Sequence, residues 1–135
     1  MFNKHSKPQN RIDSLIGLGT KIKGDVHFTG GLRIDGEISG NVVADPSKAS
    51  TLVLSEHAKV DGEISVTHLV VNGTVTGPIL AAEYLELQSK AKVTGDVKYK
   101  TLEIQLGAIV EGKLVHISEA SEKVVSLKLS GTDSK

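Results

Sequence analysis

The sequence predicts an all-β protein whose single domain is a three-faced parallel β-helix of about six rungs. Two repeats and one feature of the composition support this prediction. The first repeat is a five-residue unit in which aliphatic residues flank a polar residue, a Gly and a second polar residue, and it occurs eight times. A repeat this short indicates stacked copies of one small structure, each burying its apolar face only against its neighbours. The copies lie at residues 22–26, 34–38, 38–42, 60–64, 71–75, 75–79, 93–97 and 110–114.

Apolar and polar residues alternate along the chain, beginning with Ile22, Gly24, Val26 and Phe28. Such alternation is typical of strands that bury one face. Because Gly interrupts the pattern so often, we expect very short strands with a Gly at each corner of the coil. The chain has no Trp and only 3% aromatic residues, so its interior must be filled by aliphatic residues, Ala and Gly. A narrow tube is easier to fill in this way than a thick sandwich core.

The second repeat has a longer period. Gly62, Gly95 and Gly112 occupy the same place in it, and the first interval between them is close to twice the second. The basic unit is therefore about 16 to 17 residues long, which is too short for a propeller blade or a helical repeat and suits one rung of a β-helix. The segment Asp45-Pro46-Ser47 interrupts the register with residues that favour turns. It is predicted to form a loop that bulges from the coil.

The β-helix is predicted to span residues 15–117, between two disordered tails at residues 1–14 and 118–135. Residues 12–19 are apolar enough to form a lid or a first strand. The N-terminal tail is basic, and an apolar tip beside basic residues can dock on an anionic membrane surface. The candidate membrane contacts are Met1, Phe2, Lys4, Lys7 and Arg11.

No pattern in the sequence indicates catalysis, and we expect the protein not to be an enzyme. Lys and Arg together number 16, as do Asp and Glu, so no global field favours nucleic acid. The chain has no Cys, and its five His residues form no ligand pair. The carboxylates beside the motif glycines, such as Asp61 and Glu63, are predicted to face solvent rather than a cleft. We therefore expect no catalytic residue, no cofactor and no metal site.

The two ends of the coil are the candidate functional sites. A β-helix exposes unpaired backbone groups and apolar side chains at its terminal rungs, and these edges must be covered or used. Neither flank contains a strong amphipathic helix that would cover an edge. End-to-end stacking satisfies both edges, and its repetition gives a filament. The candidate contacts are Leu15, Ile16, Leu18, Ile22, Val26 and Phe28 at the N-terminal end, and Leu102, Ile104, Val110, Leu114 and Ile117 at the C-terminal end.

The order of single and double glycine units, at residues 19–26, 32–40 and 69–77, resembles that of the bactofilins. The resemblance covers residues 18–115, and it implies a right-handed coil that polymerises with itself without nucleotide, through contacts between like ends, into non-polar filaments. It also implies a bacterial cytoskeletal scaffold in the cytoplasm, at the inner face of the cytoplasmic membrane, which helps organise cell shape and peptidoglycan enzymes. The start Met1-Phe2, followed by Lys4 and Lys7, is similar to the membrane-targeting N-terminus of some members.

Two other interpretations stay open. Left-handed β-helices of the hexapeptide class include trimeric acyltransferases and zinc carbonic anhydrases. A partial six-residue register occurs at Ile22, Phe28 and Ile34, and again at Leu52, Ala58, Ile64 and Val70. This register breaks at Thr76 and Gln88, and no His trio is placed to hold zinc. A membrane-associated adaptor that does not polymerise is the other alternative, and it would require covered ends.

Overall fold

The computed structural model describes residues 11–118, which contain sixteen β-strands and no helix. Every pair of neighbouring strands is parallel. Most strands are three residues long, because a Gly or a turn ends them. The strands are β1 (Ser14–Ile16), β2 (Lys21–Lys23), β3 (Val26–Phe28), β4 (Gly30–Ile34), β5 (Glu37–Ser39), β6 (Val42–Ala44), β7 (Ser50–Leu54), β8 (Lys59–Asp61), β9 (Ile64–Val71), β10 (Thr74–Thr76), β11 (Ile79–Leu87), β12 (Lys92–Thr94), β13 (Val97–Tyr99), β14 (Leu102–Ile104), β15 (Ile109–Glu111) and β16 (Leu114–His116).

The strands form three faces, A, B and C, which the chain visits in that order. Face A contains β1, β4, β7, the second halves of β9 and β11, and β14. Face B contains β2, β5, β8, β10, β12 and β15. Face C contains β3, β6, the first halves of β9 and β11, β13 and β16. Each face has six strands, so the coil makes six turns, and the predicted three-faced parallel β-solenoid is confirmed. Its hand stays a prediction from the family resemblance.

Inward-facing aliphatic side chains stack in columns that run from turn to turn. On face B, Ile38 is in register with Val60, and Val60 with Val75, and all three are at most 2% exposed. Burial of these columns is the main source of stability, at about 25 cal/mol per Å² of apolar surface removed from water. The three columns with an aliphatic member in every turn are Ile22, Ile38, Val60, Val75, Val93 and Val110 on face B; Val26, Val42, Ile64, Ile79, Val97 and Leu114 on face C; and Ile16, Ile34, Leu54, Val71, Leu87 and Ile104 on face A. Shorter columns lie beside them, with Leu102 at the end of one on face A and Phe28 at the start of one on face C.

A ladder of six glycines forms the corner between faces B and C. Their φ angles lie between +132° and +157°, a region that L side chains rarely adopt. A Cβ atom added to Gly62 would lie closer than 3.0 Å to the carbonyl oxygen of Gly40, one turn earlier. The same holds for each later member of the ladder against the one before it. The glycines that the sequence pattern singled out therefore let successive turns approach at the strand spacing. The ladder consists of Gly24, Gly40, Gly62, Gly77, Gly95 and Gly112.

Side chains that follow these glycines tie one turn to the next. The carboxylate of Asp25 accepts a hydrogen bond from the backbone N–H of Asn41 at 2.9 Å, and the Asn41 side-chain oxygen accepts one from Glu63 N–H at 2.9 Å. Asp96 accepts a bond of the same kind from Lys113 N–H at 3.0 Å. At the equivalent place in the fourth turn stands Pro78, which has no N–H to satisfy. Asp25 and Asp96 are thus exposed to solvent and also stabilise the stacking of successive turns.

The predicted loop is present between β6 and β7. The Asp45 carboxylate accepts hydrogen bonds from the backbone N–H and the hydroxyl of Ser47, at 2.9 and 2.8 Å. These bonds hold the pKa of Asp45 below its usual range. Because the loop lengthens this turn, Ile38 pairs with Val60 rather than with a residue one regular period after it.

Strand β1 begins at Ser14, the last residue of the predicted N-terminal tail. The preceding Asp13 is bonded to the next turn, because its N–H donates to the carbonyl oxygen of Gly31 at 2.9 Å. The apolar segment at residues 12–19 therefore provides a first strand, one of the two predicted alternatives. Residues 1–10 and 119–135, which contain most of both predicted tails, lie outside the described residues.

Replacing Gly62 with Ala should destabilise the coil by more than about 1 kcal/mol, because Ala disfavours the positive φ and its Cβ meets backbone. Gly17→Ala is the matched control, since Gly17 has no positive φ and a Cβ there would meet nothing within 4 Å. Chemical denaturation followed by circular dichroism measures both changes. Equal midpoints for the two variants would contradict the proposed role of the ladder.

Candidate assembly surfaces at the two ends of the coil

The first and last turns each have an open strand edge. Strands β1, β2 and β3 pair only with β4, β5 and β6 in the next turn, and β14, β15 and β16 pair only with strands of the turn before. Within residues 11–118, no strand pairs with the outer side of either turn. Each edge therefore presents backbone N–H and C=O groups to a further strand.

At the N-terminal end, four of the six predicted contacts continue the inward columns. These four are partly buried against the core and form its outermost layer: Ile16, Ile22, Val26 and Phe28. The other two lie elsewhere. Leu15 points outward on face A and is 60% exposed, while Leu18 stands at the corner between faces A and B and is 71% exposed.

At the C-terminal end, four of the five predicted contacts also continue inward columns. Ile104 and Leu114 are 49% and 43% exposed, because no seventh turn covers them within the described residues. Leu102 and Val110 are partly buried beside them. Ile117 follows β16 and donates its N–H to the carbonyl oxygen of Tyr99 at 2.7 Å, so the coil path extends one residue beyond the last strand.

Four exposed aliphatic residues in the terminal turns were missed by the sequence reasoning: Ile12, Leu106, Ile109 and Val115. Leu106 is the most exposed of these, at 96%. It occupies a corner where the interior turns place Glu56 or Ser89, so comparison of the corners between repeats would have found it. The exposed aliphatic residues are concentrated in the first and last turns, where one edge of each strand has no neighbouring strand within the described residues.

The Asp13 carboxylate bonds the start of the first turn to the second turn. The Asp13 carboxylate accepts hydrogen bonds from Gly31 N–H at 2.9 Å and from Arg11 Nε at 3.1 Å. The backbone bond is the main cause of a lowered pKa at Asp13, and the Arg11 charge adds to it. Arg11, a candidate membrane contact, is thus paired with Asp13. The remaining candidates, Met1, Phe2, Lys4 and Lys7, lie outside the described residues.

The described part of the chain offers no cluster of three or more His, Cys, Asp or Glu residues that could hold a metal ion. His27, His57, His68 and His116 are spread over four different turns. Residues 11–118 also contain no helix long and apolar enough to cross a membrane.

A six-turn parallel β-solenoid with an open edge at each end is a structural repeat protein. Residues 14–115 match the bactofilin family, which is described as polymer-forming and cytoskeletal, and the chain belongs to this family. It is 28% identical over 102 residues to bactofilin BacO of Myxococcus xanthus (strain DK1622), across 76% of this chain and 78% of that relative. It is 25% identical over 109 residues to bactofilin BacP of the same organism, across 81% of this chain but only 44% of BacP. No solved structure matches the chain at comparable significance.

The ionisation of Asp13 should control the attachment of the first turn. Because its pKa is lowered on folding, the stabilisation from this carboxylate is present above the ordinary Asp pKa and is lost as the pH falls through the folded value. In an NMR titration, the Gly31 amide should therefore shift with a midpoint below the ordinary Asp value. Asp13→Asn should abolish this shift and leave mid-coil amides unchanged, whereas a midpoint at or above the ordinary value would contradict the assignment.

Proposed function

We propose that this protein is a bacterial cytoskeletal scaffold that assembles end to end, without nucleotide, into non-polar filaments. The observation that carries the proposal is the pair of open edges, where the inward columns stop at large aliphatic side chains. A second coil stacked on either end would cover these side chains and pair the free backbone groups. Membership of a polymer-forming family supports the same conclusion.

Contact between like ends requires a two-fold axis perpendicular to the axis of the coil. Such an axis reverses the strands of the second copy, so the strands that meet at the contact are antiparallel. Antiparallel pairs are slightly more stable per residue than parallel pairs. A filament built in this way alternates two contacts, one between N-terminal ends and one between C-terminal ends, and therefore has no polarity.

Assembly of this kind needs no nucleotide, because burial of the end columns supplies the driving force. The sequence contains neither a phosphate-binding G-K-[ST] motif nor a G-x-G-x-x-G turn that leads into a helix. The protein acts as a scaffold rather than as an enzyme in this proposal. The chemistry of the described residues, with no metal cluster among them, is compatible with that role.

In the cell, we place the filament in the cytoplasm at the inner face of the cytoplasmic membrane. Its partners in this proposal are further copies of itself, inner-membrane lipid and peptidoglycan-modifying enzymes, and it helps organise cell shape or cell-wall machinery. The support is the family membership and the N-terminal sequence, in which Phe2 stands beside Lys4 and Lys7. Each N-terminal segment alone would bind weakly, but many copies on a filament would bind together by avidity.

Leu114→Arg should stop assembly at the C-terminal end and leave the coil folded, since Leu114 lies in the outermost layer. If like ends meet, the product should be a dimer joined through N-terminal ends, whereas a head-to-tail filament would fall apart into monomers. Electron microscopy without nucleotide and analytical ultracentrifugation distinguish these results.

Leu80→Arg is the matched control for this variant, because it makes the same substitution on face C outside the inward columns and in an interior turn, and it should assemble normally. Normal filaments from Leu114→Arg would contradict the assignment of the C-terminal contact. Discrete trimers from the unmodified chain would contradict the filament proposal itself, and would favour the hexapeptide-type enzyme.

The pair of substitutions Lys4→Glu and Lys7→Glu should abolish cosedimentation of filaments with vesicles that contain anionic phosphatidylglycerol. Each basic residue near such a surface contributes about 1 kcal/mol, and avidity multiplies the loss. Lys123→Glu with Lys128→Glu makes the same charge change in the C-terminal segment and should retain binding. Equal binding to neutral phosphatidylcholine vesicles would contradict the electrostatic contact.

A further inference from the structure

We infer that two coils associate side by side, antiparallel, through the outer surface of face A. This contact lies beyond the end-to-end contacts of the proposed filament and would join filaments laterally. It rests on one column of outward side chains that runs the length of face A in strand register. From the first turn to the sixth, the column contains Leu15, Arg33, Val53, Val70, Glu86 and Glu103.

The column is complementary to itself when a second copy is reversed. A two-fold axis that runs along the strands, between the third and fourth turns, sets the second turn of one copy against the fifth turn of the other. Arg33 then faces Glu86 of the second copy, and the reciprocal pair forms at the other side of the axis. At the centre, Val53 faces Val70, and both are half-buried on the outer surface. The four central turns thus offer an apolar centre between two opposite-charge pairs, while the outermost turns set Leu15 against Glu103.

The same axis also pairs the most exposed leucines. Leu18 and Leu106 occupy equivalent positions, two residues after β1 and β14, at the corner between faces A and B. They are 71% and 96% exposed, and neither belongs to an inward column. The axis sets the first turn against the sixth, so Leu18 of one copy meets Leu106 of the other. Leu18 also borders a surface groove of about 370 Å³, together with Arg33 and Val53, so this corner and the column form one continuous surface.

The acidic end of the column lacks a positive partner. Glu86 and Glu103 are directly opposite each other on neighbouring strands, an arrangement that is unfavourable for like charges. Among residues 11–118, no Lys or Arg lies within salt-bridge distance of either carboxylate. The Tyr84 hydroxyl donates to Glu103 and lies 3.5 Å from Glu86, and amide groups of Gln88 and Gln105 donate to Glu86 at 3.2 and 3.3 Å. A guanidinium from a second copy would complete this site.

Arg33 can supply that charge. Its Nε donates to Asp35 at 2.9 Å, which uses one of the five N–H donors of the guanidinium. The side chain is 47% exposed, and its bond to Asp35 holds it at the surface of the coil. The positive and negative members of the pair are therefore both anchored before the second copy arrives.

The other two faces lack this combination. On face C, the equivalent axis would set Val43 against Lys98 and Ser65 against Leu80, so its four central turns have neither an opposite-charge pair nor an apolar pair. On face B, it sets Glu37 against Lys92, but the centre of that face presents polar side chains rather than aliphatic ones. Face A alone combines opposite charges with an apolar centre.

The lateral contact between one pair of coils is narrow and weak, since an exposed ion pair contributes only about 0.2–1 kcal/mol. Many such contacts along two filaments would act together by avidity. The strength of the association therefore rests on the proposed filament, although the geometry of the contact does not.

A charge-reversal cycle tests the contact. Arg33→Glu and Glu86→Arg should each abolish paired or bundled filaments while single filaments still form, and the double variant should restore the bundles. Lys92→Glu on face B is the control and should bundle like the unmodified chain. Electron microscopy at low salt, where ion pairs are least screened, measures filament width. Single filaments from the unmodified chain, bundles from either reversed variant, or no recovery in the double variant would overturn the proposal.

A second measurement separates this contact from the end contacts. The chain has no Cys, so Leu18→Cys and Leu106→Cys can each be introduced alone and the two proteins assembled together into bundles. A short bismaleimide should join Leu18→Cys to Leu106→Cys between copies, because contact between like ends never brings these positions together. Arg33→Glu in both proteins should abolish the mixed product. Absence of that product in bundles, or its persistence in single Arg33→Glu filaments, would overturn the antiparallel arrangement.

Discussion

The close approach of successive turns at the corner between faces B and C is the constraint on which the rest of this structure depends. Each turn must lie on the previous one at the strand spacing of about 4.8 Å. At that corner the chain bends with a positive φ, directly over a carbonyl of the turn before, and only Gly fits. Six of the eight copies of the five-residue sequence unit express this requirement, because their aliphatic residues flank the Gly and enter the two adjacent faces. The other two copies, at Gly36 and Gly73, lie at the corner between faces A and B.

The same constraint explains why the ends of the coil differ from its middle. An interior turn has its backbone groups and its inward side chains covered from both sides. The first and last turns repeat the pattern, yet within residues 11–118 each has a neighbour on one side only. Ile34 in the second turn is fully buried, whereas Ile104, its counterpart in the sixth turn, is half exposed. Exposed aliphatic groups at the ends are therefore an inherent consequence of a solenoid whose terminal turns are not covered within residues 11–118, and the proposed end-to-end contacts would bury them.

The outer surface is under a weaker constraint, since outward side chains need only tolerate solvent. Face B accordingly carries mostly charged and hydroxyl side chains. Face A departs from this pattern, with a positive residue in the second turn, valines at the centre and carboxylates in the fifth and sixth turns. Together with the leucines at the corner between faces A and B, this order makes face A complementary to a reversed second copy in its four central turns. Face A is therefore a candidate contact surface in addition to the two ends of the coil.

The sequence by itself determined the solenoid, the number of turns, the inward columns and the loop at Asp45. Each of these follows from local rules: alternation defines a buried face, Gly defines a corner, and the longer of the two repeats defines one turn. Four of the candidate contacts at each end also lie in inward columns, and their role in assembly stays a prediction. Only the tertiary structure decided that Leu15 and Leu18 lie outside the columns, that Asp25 and Asn41 bond backbone of the next turn, and that Arg33 and Glu86 share one outward column. The physical reason is that corners and loops of unequal length set which residues of distant turns become neighbours, and that register appears only once the turns are stacked.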